Sequence, residues 1–283
     1  MSASPRSVPD RRPEALEEWV SELARRARES DGAPPFSDQA LVDYRLGKRD
    51  LVAIERDAAA LVTEVEAEFV VNPDARGRGL GTRMLEDLLS RGINVFWAHG
   101  DHPAARALAR KYGLRADREL LHLVGPVPEL VEGRAPSNGP STSSWTEVFE
   151  VGQDEDEWVA LNARTFATHP EQGKVTKQDL EQLEGEDWFS ADDFLVLRQN
   201  GRMIGYCWLK VEGSRGEFYV VGVDPGHQGE HLGATLFDAG LARLASRGIR
   251  HAHLYVEADN APAIALYRSR GFSQDSIDIQ YSG

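Results

Sequence analysis

The same pattern occurs twice in this chain, once in each half. Ser90-Arg91-Gly92-Ile93 recurs as Ser246-Arg247-Gly248-Ile249, Tyr112-Gly113-Leu114 is echoed by Arg270-Gly271-Phe272, and a turn reading Arg76-x-x-Gly79-x-Gly81 returns as Gln228-x-x-His231-x-Gly233. Repetition in register means that both halves fold to one plan, because a duplicated unit carries its own order of buried and exposed positions. The 283 residues suffice for two ordinary domains, each able to bury a core. Pro, Gly, Ser and Thr crowd the stretch between the halves, as in a linker. The expected division is a first domain at 1–126, a linker at 127–144 and a second domain at 145–283.

Each half reads as helices followed by strands, a glycine-bearing turn, a helix, a strand and a further helix. In the first half, Leu16, Trp19, Val20 and Leu23 recur at helical spacing. Ser37 is an N-cap for a second helix. Short apolar runs at 51–54, 60–65 and 68–71 predict strands, the turn at 76–81 opens a helix that ends at Gly92, and a strand at 94–99 and a helix at 103–112 follow. The second half predicts helices at 155–166 and 176–183 and strands at 194–198 and 205–211, then the segment from Phe218 to Phe272. The first half has little chain between Leu51 and Val71 for two paired strands and their turn.

A strand that runs through glycines into a helix presents backbone amides and the positive end of the helix dipole to an anion such as a pyrophosphate. Such a turn alone also serves as an ordinary connector; its repetition in register is what gives it weight. Composition narrows the rest. A formal charge of −14 without a basic stripe argues against a nucleic-acid partner. One cysteine, Cys207, excludes an intrachain disulfide and a cysteine-based metal site. His227 with His231, and His251 with His253, lack a third metal ligand, so no metal is expected. There is neither an apolar signal core nor an apolar run of membrane-spanning length. The expectation is a cytoplasmic monomer that engages no membrane.

These motifs resemble the GNAT acetyltransferase superfamily. The likeness is strongest over His169-Pro170-Glu171-Gln172-Gly173, Tyr206-Cys207-Trp208-Leu209-Lys210, 217–224 and 254–272, with Phe96-Trp97-Ala98-His99-Gly100 in the first half. It is closest to tandem-domain members that acetylate the cysteine amine of cysteinyl-glucosaminyl-inositol. The resemblance implies an α/β fold of two tandem GNAT domains, each a mixed, mostly antiparallel sheet flanked by helices, with acetyl-CoA as cosubstrate. It implies that Val221, Gly222 and Val223 line the pantetheine arm. Gln228, Gly229, Glu230, His231, Leu232, Gly233 and Ala234 would hold the phosphates, and Asn260, Ala261, Pro262, Ala263, Ile264 and Ala265 would cover the coenzyme. In the first half, Phe69, Val70, Val71, Gly77, Arg78, Gly79, Leu80, Gly81 and Thr82 take the matching places.

Tyr267 is then the acid that protonates the departing sulfur. Glu217 is the base for the ammonium, directly or through water, or else the group that anchors it. Glu171, Lys210, Tyr255, Glu217 and, from the first half, Asp38 match acceptor positions, so the acceptor site is expected between the domains. Singly, each could be a surface charge or sheet packing. Ala109 stands opposite Tyr267, so the first domain is expected to be noncatalytic while still able to bind acetyl-CoA. His231 replaces a glycine, which puts coenzyme affinity in question. Two other readings stay open: a tandem acetyltransferase for another amine, such as a peptide amino terminus or an aminoglycoside, and an acyl-CoA-binding module without turnover.

Overall fold

The computed structural model describes residues 17–129, 146–169 and 172–283. They form two compact units. The first takes the chain up to Leu121 together with 257–259 and 276–283; the second takes 122–256 and 260–275. The tail thus leaves the half of the sequence to which it was assigned and joins the first unit. The expected linker falls, from residue 130 on, outside the described residues.

In the first unit, α1 (Glu18–Asp31) and α2 (Asp38–Arg45) precede strands β1 (Asp50–Ile54), β2 (Ala58–Val62) and β3 (Glu66–Val71). The expected shortage of chain between Leu51 and Val71 is overturned. β1 and β2 pair antiparallel over their full length, and the turn closes in so few residues because Glu55 and Arg56 both take positive φ. Next come α3 (Leu80–Ser90), β4 (Val95–Ala98), α4 (Pro103–Tyr112) and β5 (Arg115–Pro126), whose residues from His122 on fall to the second unit. β3 pairs antiparallel with β2 and parallel with β4. The C-terminal strand β11 (Ser273–Ser282), absent from the sequence reading, pairs antiparallel with β4.

β2 shows why the sheet needs a helical layer on each face. Its side chains alternate, as a strand dictates: Ala58, Ala60 and Val62 pack with Met84, Leu85 and Leu88 of α3, while Ala59 and Leu61 pack with Val20, Leu23 and Ala27 of α1. Local capping fixes the helix starts. The Ser37 hydroxyl accepts from the Ala40 amide at the head of α2, and His102 accepts from the Ala104 amide at the head of α4.

The second unit holds β6 (Thr146–Val148), α5 (Glu155–Thr165), α6 (Lys177–Glu184), β7 (Phe194–Gln199), β8 (Arg202–Glu212) and β9 (Arg215–Val223). They are followed by α7 (Leu232–Ser246), β10 (His251–Glu257) and α8 (Ala261–Ser269). β6 to β9 pair antiparallel in order, and β10 joins β9 parallel. Beneath α5 and α6 lies an aromatic core in which Trp208 stacks on Phe194 at 4.6 Å and meets Trp158 edge-on at 5.8 Å. On the opposite side Phe218 of β9 stacks on Phe237 of α7 at 4.1 Å. Among the described residues no helix is long and apolar enough to cross a membrane.

Candidate active site

In the second unit β9 and β10 pair only at Gly216–Ala252, Glu217–His253 and Phe218–Leu254, although β9 runs on to Val223 and β10 to Glu257. Beyond Phe218 the strands part, and the β10-facing backbone groups of β9 are left for another partner. The cause lies on the other edge of β9. Its register against β8 shifts between Trp208 and Leu209, which face Val220 and Phe218 and leave Tyr219 as the extra residue of a bulge. A bulge bends its strand and raises its twist, so β9 turns away where the opening begins.

The open end of β9 feeds the glycine turn. Gly229 has φ +85 and His231 φ 61, the latter as N-cap of α7. A Cβ built on Gly229 or Gly233 meets nothing within 4 Å, so the turn faces open space. The amides of 229–233 donate to no backbone acceptor among the described residues. Unpaired amides, a helix N-terminus and glycine clearance together fit a pyrophosphate. His231 takes the left-handed conformation without the freedom of glycine, a local strain of about 1 kcal/mol.

α8 begins where the sequence places it, with the Asn260 side chain accepting from the Ala263 amide at 3.2 Å. One helical turn further on, the Tyr267 ring lies 4.9 Å from Phe237, the ring that stacks on Phe218 of β9. Tyr267 thus belongs to the packing beside the opened strand. Burial pushes its phenol up to about 12, which keeps the hydroxyl protonated at neutral pH. Cys207, opposite Val221 on β8, is fully buried, and burial raises its thiol as well; it is an inert core residue.

Glu217 lies in a row that crosses three strands: Lys210 of β8 and His253 of β10 are its direct neighbours. Directly paired residues point to one face of a sheet, so the three share a face. The Lys210 ammonium is 3.2 Å from Glu212 and 5.2 Å from the Trp188 ring centroid. Tyr255, two residues beyond His253, is 47% exposed, with the His122 ring 4.8 Å away. The structure therefore brings together Glu217, Lys210 and Tyr255 of the predicted acceptor set. Asp38 is exposed at the start of α2 in the first unit, and Glu171 lies outside the described residues. Trp188 and His122 were not anticipated; each lies far in sequence from its partner, and no local motif marks it.

The first unit repeats this frame with different contents. β3 and β4 pair only at Glu66–Val95, Ala67–Phe96 and Glu68–Trp97 before they part. A cavity of ≈ 470 Å³ opens there, lined among others by Phe69, Val71, Gly77, Gly79, Gly81, Thr82, Leu108 and Ala109. Gly77 and Gly79 have φ +76 and +81, matching Gly229 and His231. Arg76 makes a two-pronged bond to Asp31, 2.6 Å on each side, and its Nε donates to the Val71 carbonyl at 3.3 Å.

Glu68 is the last paired residue of β3, one pair further along than Glu217 stands on β9, and it is 2% exposed. It accepts from the Ser37 amide at 2.6 Å and the Ser37 hydroxyl at 2.8 Å. His99 sits 3.2 Å from Glu68 and 2.9 Å from Asp278. The two carboxylates outweigh burial and raise His99 to about 10, and despite its burial Glu68 is lowered by bonds to His99 and Ser37.

A family model described as the acetyltransferase (GNAT) family matches residues 53–114 and 157–272, one match in each half. A mycothiol acetyltransferase of Clavibacter michiganensis subsp. michiganensis is 44% identical over 279 residues, covering 93% of this chain and 90% of that protein. One from Clavibacter sepedonicus is 45% identical, covering 92% and 89%. The chain belongs to the GNAT acetyltransferases, among the mycothiol acetyltransferases. Its fold agrees with a GCN5-related N-acetyltransferase from Sphaerobacter thermophilus (TM-score 0.69, 20% identity, 94% of this chain and 91% of that one). It also agrees with a tandem GNAT protein of the clavulanic acid biosynthesis pathway (TM-score 0.66, 17% identity, 94% and 93%). GNAT acetyltransferases use acetyl-CoA, and the tandem architecture follows from the doubled match.

Proposed function

We propose that the second unit transfers acetyl from acetyl-CoA to the cysteine amine of cysteinyl-glucosaminyl-inositol, giving mycothiol and CoA, in the cytoplasm. The observation that carries this reading is the parting of β9 from β10, with Glu217 at its closed end and Tyr267 packed beside it. Acetyl-CoA supplies an activated acyl carbon. Amides of 229–233 hold the pyrophosphate, and β9 from Val221 to Val223 pairs with the pantetheine arm, with 260–265 over it. Lys210 and Tyr255 orient the hydroxyl-rich acceptor.

Glu217 takes the proton from the ammonium, directly or through one water, because an amine attacks only as the free base. The nitrogen bonds to the acyl carbon while β9 amides stabilise charge on the carbonyl oxygen. Tyr267 then gives its proton to the sulfur as the C–S bond breaks, and the second proton, shed by the nitrogen as it becomes an amide, is returned to the phenolate through water. The first unit keeps a cavity where its strands part but has Ala109 in place of the phenol of Tyr267, so we assign it binding rather than chemistry.

Incubation with acetyl-CoA and the cysteinyl pseudodisaccharide should yield the N-acetylated product by mass, with stoichiometric release of CoA thiol. Efficient acetylation of a peptide amino terminus or an aminoglycoside, with no such product, would overturn the acceptor assignment.

A further inference from the structure

A chain of titratable side chains leads away from the Glu217 row. His253 stands beside Glu217 on the neighbouring parallel strand, on the same face. Its Nδ1 lies 3.3 Å from Nε2 of His122 on β5, and the other His122 nitrogen, Nδ1, lies 3.1 Å from the Asp275 carboxylate at the start of β11. The His122 side chain is only 16% exposed, whereas that of Asp275 is 62% exposed. The series therefore runs from half-buried sheet face to solvent. The two rings meet edge to face, at 5.3 Å and 71°, which aims a ring nitrogen of one at the other. Glycosyl and inositol hydroxyls require none of this, and the mechanism above leaves both imidazoles without a task.

Hydrogen-bond chemistry sets the order of protons. A carboxylate only accepts, so Asp275 fixes the His122 proton on Nδ1. Nε2 of His122 then accepts from Nδ1–H of His253. We propose that His253, His122 and Asp275 form a relay that drains the amine proton from Glu217 to solvent, an inference that rests on the reading of Glu217 as base. A proton arriving at Nε2 of His253 releases the one on Nδ1 to Nε2 of His122, and Nδ1 of His122 releases its own to Asp275 and bulk water. One proton enters and one leaves, with no oxidant or further reactant. The three are positioning residues, acting through Glu217 rather than on the substrate.

A relay differs from a packing contact in one measurable respect: a small diffusible base can replace it. The test uses the full chain and follows CoA thiol release with acetyl-CoA and the cysteinyl pseudodisaccharide, titrating imidazole at fixed pH and ionic strength. Wild type should be insensitive to imidazole. His122→Ala should lose about tenfold in kcat, less than the roughly 10²–10⁴-fold that a direct acid or base supplies because it acts through Glu217, with the acceptor KM unchanged and with kcat restored by imidazole. Asp275→Asn, at an exposed position that leaves the core intact, should lose two- to threefold and respond in the same direction. An unchanged kcat in both variants, or a loss confined to KM that imidazole leaves untouched, would overturn the relay while the acceptor reading stands. Absence of wild-type turnover with this acceptor would instead overturn the acceptor reading, and the relay with it.

Discussion

Set side by side, the two units show one frame holding opposite kinds of carboxylate. Glu68 and Glu217 both lie in the short paired stretch before the sheet opens, Glu68 at its last pair and Glu217 at the pair before the last. In the first unit, Ser37 and His99 enclose the carboxylate, and Asp278 shares the same imidazole. In the second, Glu217 stands half-buried in a row with Lys210 and His253. A carboxylate already saturated by an amide, a hydroxyl and a cation has little left to offer a substrate proton. The difference extends to α4 and α8, where Ala109 stands for Tyr267, and to the turns, where Gly79 stands for His231. The first unit has the more relaxed turn and lacks the phenol proposed as acid; the second has the proposed groups and a strained turn.

The sharpest way to break this comparison is at Tyr267. Tyr267→Phe should lower kcat by roughly 10²–10³ with coenzyme binding intact, the scale of a lost general acid. Steady-state kinetics with titration calorimetry reads both; an unchanged kcat would remove the phenol from the mechanism. Next comes the pair of carboxylates. Glu217→Gln should cut turnover by about 10² and leave the melting temperature alone. Glu68→Ala should cost about 3 kcal/mol of stability, since it removes one of the two carboxylates paired with buried His99. Denaturant unfolding checks the second, and equal stability losses at both positions would dissolve the contrast.

The Glu68–His99 pair also gives the first unit its own pH signature. His99 is raised from 6.5 to about 10, so its stabilisation is complete below pH 6.5 and is lost as pH rises toward 10. Glu68 is lowered, so its stabilisation is present above its unfolded value near 4.5 and is lost as pH falls through the lower folded value. Unfolding of the first unit should therefore be hardest between about pH 4.5 and 6.5. Melting profiles should show this slope on the alkaline side, and His99→Gln should flatten it. The smallest effect belongs to the turn: His231→Gly should stabilise by up to about 1 kcal/mol and tighten coenzyme binding several-fold. Weaker binding would mean that the imidazole itself contacts the phosphates.

Much of this was legible in the residues alone. The duplication, the strand–turn–helix order in each half, the caps at Ser37 and Asn260 and the left-handed demand at His231 are local properties, governed by spacing, propensity and φ/ψ limits that act over a few residues. The resemblance named Tyr267 and Glu217 as candidates. The β1–β2 turn escaped because two non-glycine residues take positive φ there, at Glu55 and Arg56. β11 escaped because Ser273–Ser282 alternates only weakly and gains its partner from β4, some 180 residues earlier in the chain.

Tertiary structure alone decided the rest. Whether a glutamate at a strand head is a base or a buried strut depends on what packs over it: Ser37 and His99 for Glu68, the Lys210–His253 row for Glu217. Both are written Glu-Phe in the sequence. The burial and partners that distinguish them come from α2, β4 and β11 on one side and from β8 and β10 on the other. Short-range rules could determine that two such frames form; only the fold determined which carboxylate stays accessible to a proton.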